Sequence, residues 1–209
     1  MTSSPSTQHS ILRTQDSGLR TTSVVLAGVG GQGILLASEI VAKAAMIAGH
    51  QVKTNEVHGM AQRGGSVIAQ IRYGAQVHSP LVAEGTARVL GALERMEGIR
   101  FAHYLAPDGL AVVSTQAIIP VTVSSGAARY PDDAHERLKA IFPRLIYVDA
   151  AVIAGKVGNI RASNVVILGA MSRGLDLPAE TWREAICDCV PPKHKDLNLR
   201  AFDEGRKSV

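Results

Sequence analysis

Cysteine is almost missing from this chain: of 209 residues only Cys187 and Cys189 are thiols, and their C-x-C spacing matches no common zinc site or iron–sulfur run. A disulfide framework is therefore excluded, and the pair reads as reduced, half-buried thiols of a cytoplasmic protein. Aromatic side chains are scarce at 4%, and 22 basic against 18 acidic residues leave a net charge of +4, with only a mild cluster at Lys193, His194 and Lys195. That is an ordinary solvated surface without the basic patch that nucleic-acid binding needs. No apolar run reaches the length of a membrane span, because Gly, Lys or Glu interrupts each candidate within about 18 residues. Residues 1–21 are rich in Ser and Thr, with Arg13 and Arg20 but no apolar core, so they read as a disordered leader and not as a secretory signal.

What remains is a chain that is 46% hydrophobic and long enough to bury one sizeable core. From residue 23 strand-like and helix-like segments alternate without internal repeats, which predicts an α/β fold: a Rossmann-like mixed, mostly parallel sheet flanked by helices, in a single domain over 22–190. A tail over 191–209 ends in a short helix at 198–205. Strands are expected at 23–27, 51–54, 65–72, 88–91, 110–114 and 145–148. Helices are expected at 32–48, 94–104, 132–141, 163–173 and 178–189. Gly169 lies inside one of these helices at a cost in propensity, which points to another backbone passing close by.

The first strand ends in AGVGGQG, residues 27–33. Gly28, Gly30 and Gly33 fit the G-x-G-x-x-G spacing of dinucleotide-binding loops, and such a strand–loop–helix aims free backbone N–H groups and the positive helix end at whatever lies above it. A dinucleotide site also needs an acidic side chain about 20 residues on, at the end of the second strand. Lys53 stands near that place, and Glu56 falls beyond the expected strand. A free-standing nicotinamide enzyme is thus disfavoured, although Lys53 could meet a 2′-phosphate.

A second glycine feature, EVHGMAQRGGS at 56–66, lies between the second and third strands. Gly64 and Gly65 can adopt positive φ and so converge their amides into an anion-binding nest, with Arg63 as a forked donor beside it. A tight turn with a solvated arginine is the plainer reading. His58 has no carboxylate or hydroxyl partner that the sequence identifies, so no catalytic role is assigned to it.

Together, GVGGQG at 28–33, EVHGMAQRGGSV at 56–67, SPLVAEG at 79–85 and the closing NLRAFDEG at 198–205 resemble the γ-type module of the 2-oxoacid:ferredoxin oxidoreductases, above all its indolepyruvate branch. The resemblance spans almost all of 23–205. It implies a small subunit of an enzyme that oxidatively decarboxylates 2-oxoacids to acyl-CoA. Thiamine diphosphate, Mg and [4Fe-4S] clusters would sit in a large partner subunit, with ferredoxin or another acceptor taking the electrons. Two cysteines cannot ligate a [4Fe-4S] cluster, and no thiamine diphosphate motif of the G-D-G type occurs, so no catalytic residue is assigned to this chain.

The binding residues expected are Gly28, Gly30, Gly31, Gln32, Gly33, Arg63, Gly64 and Gly65, facing phosphate or carboxylate groups of CoA or the 2-oxoacid. A purely structural subunit, whose glycine loops only pack on the partner, is the alternative. The resemblance further implies a heterodimer that pairs again about a two-fold axis. The apolar 33–48 helix and the AAVIA run at 150–154 offer either assembly surface or core. One departure is Arg88, where the family pattern leads one to expect an acidic residue.

Overall fold

The computed structural model of this chain describes residues 21–59, 64–127 and 129–209. The expected leader therefore falls outside the described residues except for Thr21. β1 (Thr22–Val29) is buried along almost its whole length, as a β-branched apolar run must be when both faces are covered. It is followed by α1 (Ile34–Ile47), the exposed β2 (Gln51–His58), β3 (Ser66–Gly74) and β4 (Ala87–Ala92). α2 (Arg95–Arg100) leads through a single 3-10 turn to β5 (Leu105–Ser114). Then come α3 (Val121–Ser124), α4 (Ala134–Ile141), β6 (Leu145–Val148) and α5 (Ala150–Val157). α6 (Ser163–Met171), α7 (Ala179–Cys189) and α8 (Lys195–Lys207) complete the chain.

The sheet order is β2-β3-β1-β4-β5-β6. β1, β4, β5 and β6 pair in parallel, while β3 runs against both β1 and β2, so five of the six strands share one direction. This is the mixed, mostly parallel sheet the alternation predicts. Strand periodicity divides the core cleanly. Val24, Leu26, Val89 and Val112 face a large cluster with α1, α5, α6, α7 and α8, whereas Val25, Leu90, Ala111 and Val113 face a smaller one built with Leu138 and Phe142 of the α4 segment.

Several boundaries differ from expectation. β2 extends to His58, so Glu56 is inside the strand, and β3 begins at Ser66. The helix expected at 94–104 stops at Arg100, because Glu94 is its N-cap and the 3-10 turn over Ala102–Tyr104 feeds β5 directly. The AAVIA run forms the start of α5, capped by Asp149 (Val152 N to Oδ1, 3.2 Å), with Ala150 and Ala154 in the core and Val152 exposed. α8 is longer than the short helix expected and puts Ala201 and Phe202 fully inside. α6 is buried on every side, between the sheet and α8, which is what its apolar run from Val165 to Met171 requires. The two cysteines are free and half-buried, and burial pushes the Cys189 thiol up to about 11, so it is a poor nucleophile at neutral pH.

Candidate functional site

In an α/β sheet of this kind the crevice lies at the carboxyl ends of the strands, where successive connections leave on opposite faces. Here that point is the tip of β1: α1 leaves toward the large core and α2, after β4, toward the small one. Two cavities flank the tip, and Val29 lines both. One, of about 570 Å³, is walled by Gly30, Gly31, Gly33, Ile34, Leu35, Leu36, His58 and Val67. The other, about 470 Å³, lies on the α2 side beneath a strap whose described residues are 116–127 and 129–131.

The glycine loop is fixed by three separate devices. Gly30 N donates to Gly65 O at 2.8 Å and Gly64 N to Gly30 O at 3.4 Å, which carries the β1–β3 ladder one step beyond Val29 and Ser66. The side chain of Gln32 turns inward: its Oε1 accepts from Val29 N (2.8 Å), and its Nε2 donates to Leu93 O (2.8 Å) and Gln116 Oε1 (3.0 Å). Asn164 of α6 donates from Nδ2 to Gly33 O at 3.2 Å. Gly33 has φ +80°, and a Cβ on it would lie 2.6 Å from that Nδ2, so both conformation and space demand glycine.

These contacts revise the donor set. Gly30 N is engaged by Gly65 O and Gln32 N by Val29 O (3.1 Å), so the loop itself leaves only the amides of Gly31 and Gly33 without a partner among the described residues. The first turn of α1 adds those of Ile34, Leu35 and Leu36, since Gly33 caps the helix with no side chain and Ala37 N makes the first bond back, to Gly33 O at 3.0 Å. The nest at Gly64 and Gly65 is corrected. Of the two, only Gly64 has positive φ, at +78°, and its amide donates to Gly30 O, so the pair does not converge two free amides as a nest would. Gly28 serves packing, since a Cβ there would meet Ile34 Cδ1 at 2.8 Å and Gln32 Oε1 at 2.9 Å. Arg63 lies outside the described residues. His58 is exposed at the end of β2 and lines the larger cavity.

Replacing Gln32 by alanine would leave Val29 N and Leu93 O unpaired in a part-buried setting. The expected outcome is a loss of about 1–3 kcal/mol in the urea unfolding of the assembled protein. Wild-type stability would mean that the Gly30–Gly65 pairing suffices to hold the loop.

Topology settles the dinucleotide reading. A ribose-holding acid sits at the end of the strand beside β1, but here β3 separates β2 from β1, so β2 is two strand spacings away, roughly 10 Å. Lys53 pairs across with Arg72 in the body of β2, well short of its end. Arg88 stands at the beginning of β4, at the opposite end of the sheet from the glycine loop, and its Nε donates to Gly174 O at 3.3 Å. The charge reversal there does not touch the crevice.

On the α2 side the key residues are ones that motif reading did not single out. Glu94, 2% exposed, accepts from Met96 N (2.7 Å) and Glu97 N (3.0 Å) as the α2 cap, and from Ile118 N (3.3 Å) and the Tyr130 hydroxyl of the strap. Burial and the Glu94 carboxylate push Tyr130 up to about 12, which keeps it a neutral donor. Glu97, 5% exposed, accepts from Ser66 Oγ and from Arg100 Nε (3.0 Å). The available signal was an acidic residue at a strand-to-helix junction, the usual N-cap position. Among the described residues, no group of three His, Cys, Asp or Glu side chains is placed to hold a metal ion and no helix is long and apolar enough to cross a membrane.

Residues 23–208 match the model of the pyruvate ferredoxin/flavodoxin oxidoreductase family. The chain is 42% identical over 193 residues to indolepyruvate oxidoreductase subunit IorB of Pyrococcus horikoshii, covering 89% of this chain and 95% of that one. It is 45% identical over 186 residues to the IorB subunit of Archaeoglobus fulgidus, with 87% and 92% covered. Among solved structures, the keto/oxoacid ferredoxin oxidoreductase gamma subunit from Geobacter sulfurreducens shares the fold, with a TM-score of 0.67 at 22% identity over 90% of this chain and 97% of that one.

Proposed function

The chain belongs to the pyruvate ferredoxin/flavodoxin oxidoreductase family as the small subunit of a 2-oxoacid:ferredoxin oxidoreductase, and from that membership we propose that its complex oxidises indolepyruvate or related arylpyruvates to acyl-CoA in the cytoplasm. Thiamine diphosphate, held with Mg by the large partner subunit, supplies the carbanion chemistry of decarboxylation. That subunit also carries the [4Fe-4S] clusters, from which ferredoxin or another acceptor takes the electrons. The substrate class is supported by the IorB relatives at 42–45% identity.

This chain's own part is to bind and orient. The observation that carries the reading is the open end of α1: Gly31, Gly33, Ile34, Leu35 and Leu36 line a cavity of about 570 Å³, and no side chain caps the helix there. Such a helix end attracts a phosphate or carboxylate, here of CoA or the 2-oxoacid. Gln32 holds that loop in place, and Arg63, one residue before Gly64 in the sequence, is the forked donor of this reading. In the intact complex, Arg63→Ala is expected to raise the KM for CoA or the oxoacid at least several-fold with assembly unchanged.

One observation favours a purely structural role. Leu35 and Val57, each 53% exposed, stand beside the loop as apolar surface that a large subunit could cover. Unaltered kinetics of Arg63→Ala, together with no CoA-dependent change at residues 28–36 by isotope-edited NMR, would establish that reading instead.

A further inference from the structure

The smaller cavity stands apart from the open end of α1, on the opposite face of the sheet. Its walls combine an apolar ledge, formed by Val29, Ile118, Ile119, Pro120, Val123 and Pro131, with four charged groups: Glu94, Glu97, Arg100 and Arg129. The two carboxylates are both more than nine-tenths buried and both engaged inside the protein, Glu94 by four donors and Glu97 by Ser66 and Arg100.

The cations are in the reverse condition. Arg100 uses only Nε on Glu97 and keeps its side chain 61% exposed, so its terminal nitrogens remain available. Arg129 is exposed and makes no hydrogen bond or ion pair among the described residues. Two guanidinium groups thus share one cavity whose acidic partners are already satisfied. A volume of about 470 Å³ is within the range of small-molecule sites, roughly 300–1,000 Å³.

We propose that the cavity under the 116–131 strap binds a small organic acid with an apolar body, whose anionic head is held between Arg100 and Arg129 and whose body lies on Ile118, Ile119, Pro120 and Val123. Guanidinium forks suit a carboxylate or a phosphate head equally well, and the ledge is what separates an organic acid from inorganic phosphate. The site is distinct from the open end of α1, and binding there requires no turnover.

The test uses the complex of this chain with its large subunit and the photoreactive aryl acid 4-benzoylbenzoate, with adducts mapped by peptide mass spectrometry. Adducts are expected on peptides spanning 94–100 or 116–131, and excess phenylacetate should reduce them at least five-fold. The same excess of inorganic phosphate should leave them. Both Arg129→Gln, an exposed position that does not threaten folding, and Val123→Trp, which fills the cavity, should lower labelling at least five-fold. Arg63→Ala should not. No adduct on these peptides, adducts indifferent to both cavity variants, or displacement by phosphate as effective as by phenylacetate would each overturn the proposal. None of these outcomes bears on the KM test of Arg63.

Discussion

Substituting Gly169 with alanine is expected to cost at least about 3 kcal/mol of stability. Gly169 faces α8 where the two helix backbones touch. A Cβ built on it would lie 2.1 Å from Phe202 O and 2.9 Å from Arg206 N, and on the other helix a Cβ on Gly205 would lie 2.0 Å from Val166 O. Neither neighbour is the end of a flexible side chain. To admit one methyl group, α8 would have to retreat by roughly an ångström, and it carries the fully buried Ala201 and Phe202, the latter stacked on Trp182 with ring centroids 5.8 Å apart. Close-packed interiors absorb such a shift only by losing contacts along the whole interface. The measurement is the urea midpoint of the assembled complex. Gly155→Ala is the control, since that glycine lies in α5 with nothing within 4 Å of a built Cβ; it should be neutral or stabilising by up to about 1 kcal/mol. A Gly169→Ala protein as stable as the control would show that α8 can slide freely on α6.

That close approach was readable in the sequence because a glycine in the middle of an otherwise apolar helix has few other reasons to be there. The fold class was readable for a similar reason. The unbroken burial of β1 and the wide apolar face of α1 can be met only by a sheet covered on both sides. Strand order was not readable. Nothing in the periodicity of residues 66–74 distinguishes a strand that runs against β1 from one that runs with it, yet this reversal displaces Lys53 and Glu56 from the place a dinucleotide would need.

The candidate site was half visible. Glycine spacing identified the loop, but spacing does not say which amides the ladder will claim, and Gly30 and Gly64 turn out to bond to each other's strands. Gln32 was named as a ligand contact from its place in GVGGQG, whereas its side chain is the brace that ties β1 to Leu93 and Gln116. Glu94 was missed as a site residue because a single acid before a helix carries no motif; its importance comes from two donors more than 20 residues downstream, Ile118 N and Tyr130.

Glu94 is the residue on which the strap depends, and Glu94→Ala is expected to destabilise the strap by about 2–4 kcal/mol. Four donors converge on its carboxylate, two from the first turn of α2 and two from the strap, and it is 2% exposed. A carboxylate offers acceptors on both oxygens, whereas the amide of Glu94→Gln would turn an NH₂ group toward two of those donors, so the isosteric variant should recover only part of the loss. Tyr130→Phe removes the hydroxyl that donates to Glu94 and accepts from Arg95 Nε (3.1 Å), retains the ring over which the Arg95 guanidinium lies, 4.7 Å from the centroid, and should cost about 1 kcal/mol. Release of the strap exposes the bond after Arg129 to trypsin. Cleavage in the folded complex should accelerate about tenfold for each 1.4 kcal/mol lost, because opening and closing precede the cut. The two substitutions share one bond, so together they should cost about 1 kcal/mol less than the sum of their separate costs. Strict additivity in the cleavage rates would mean that the strap is held by the Ile118 amide and its apolar ledge, with the Tyr130–Glu94 bond contributing nothing.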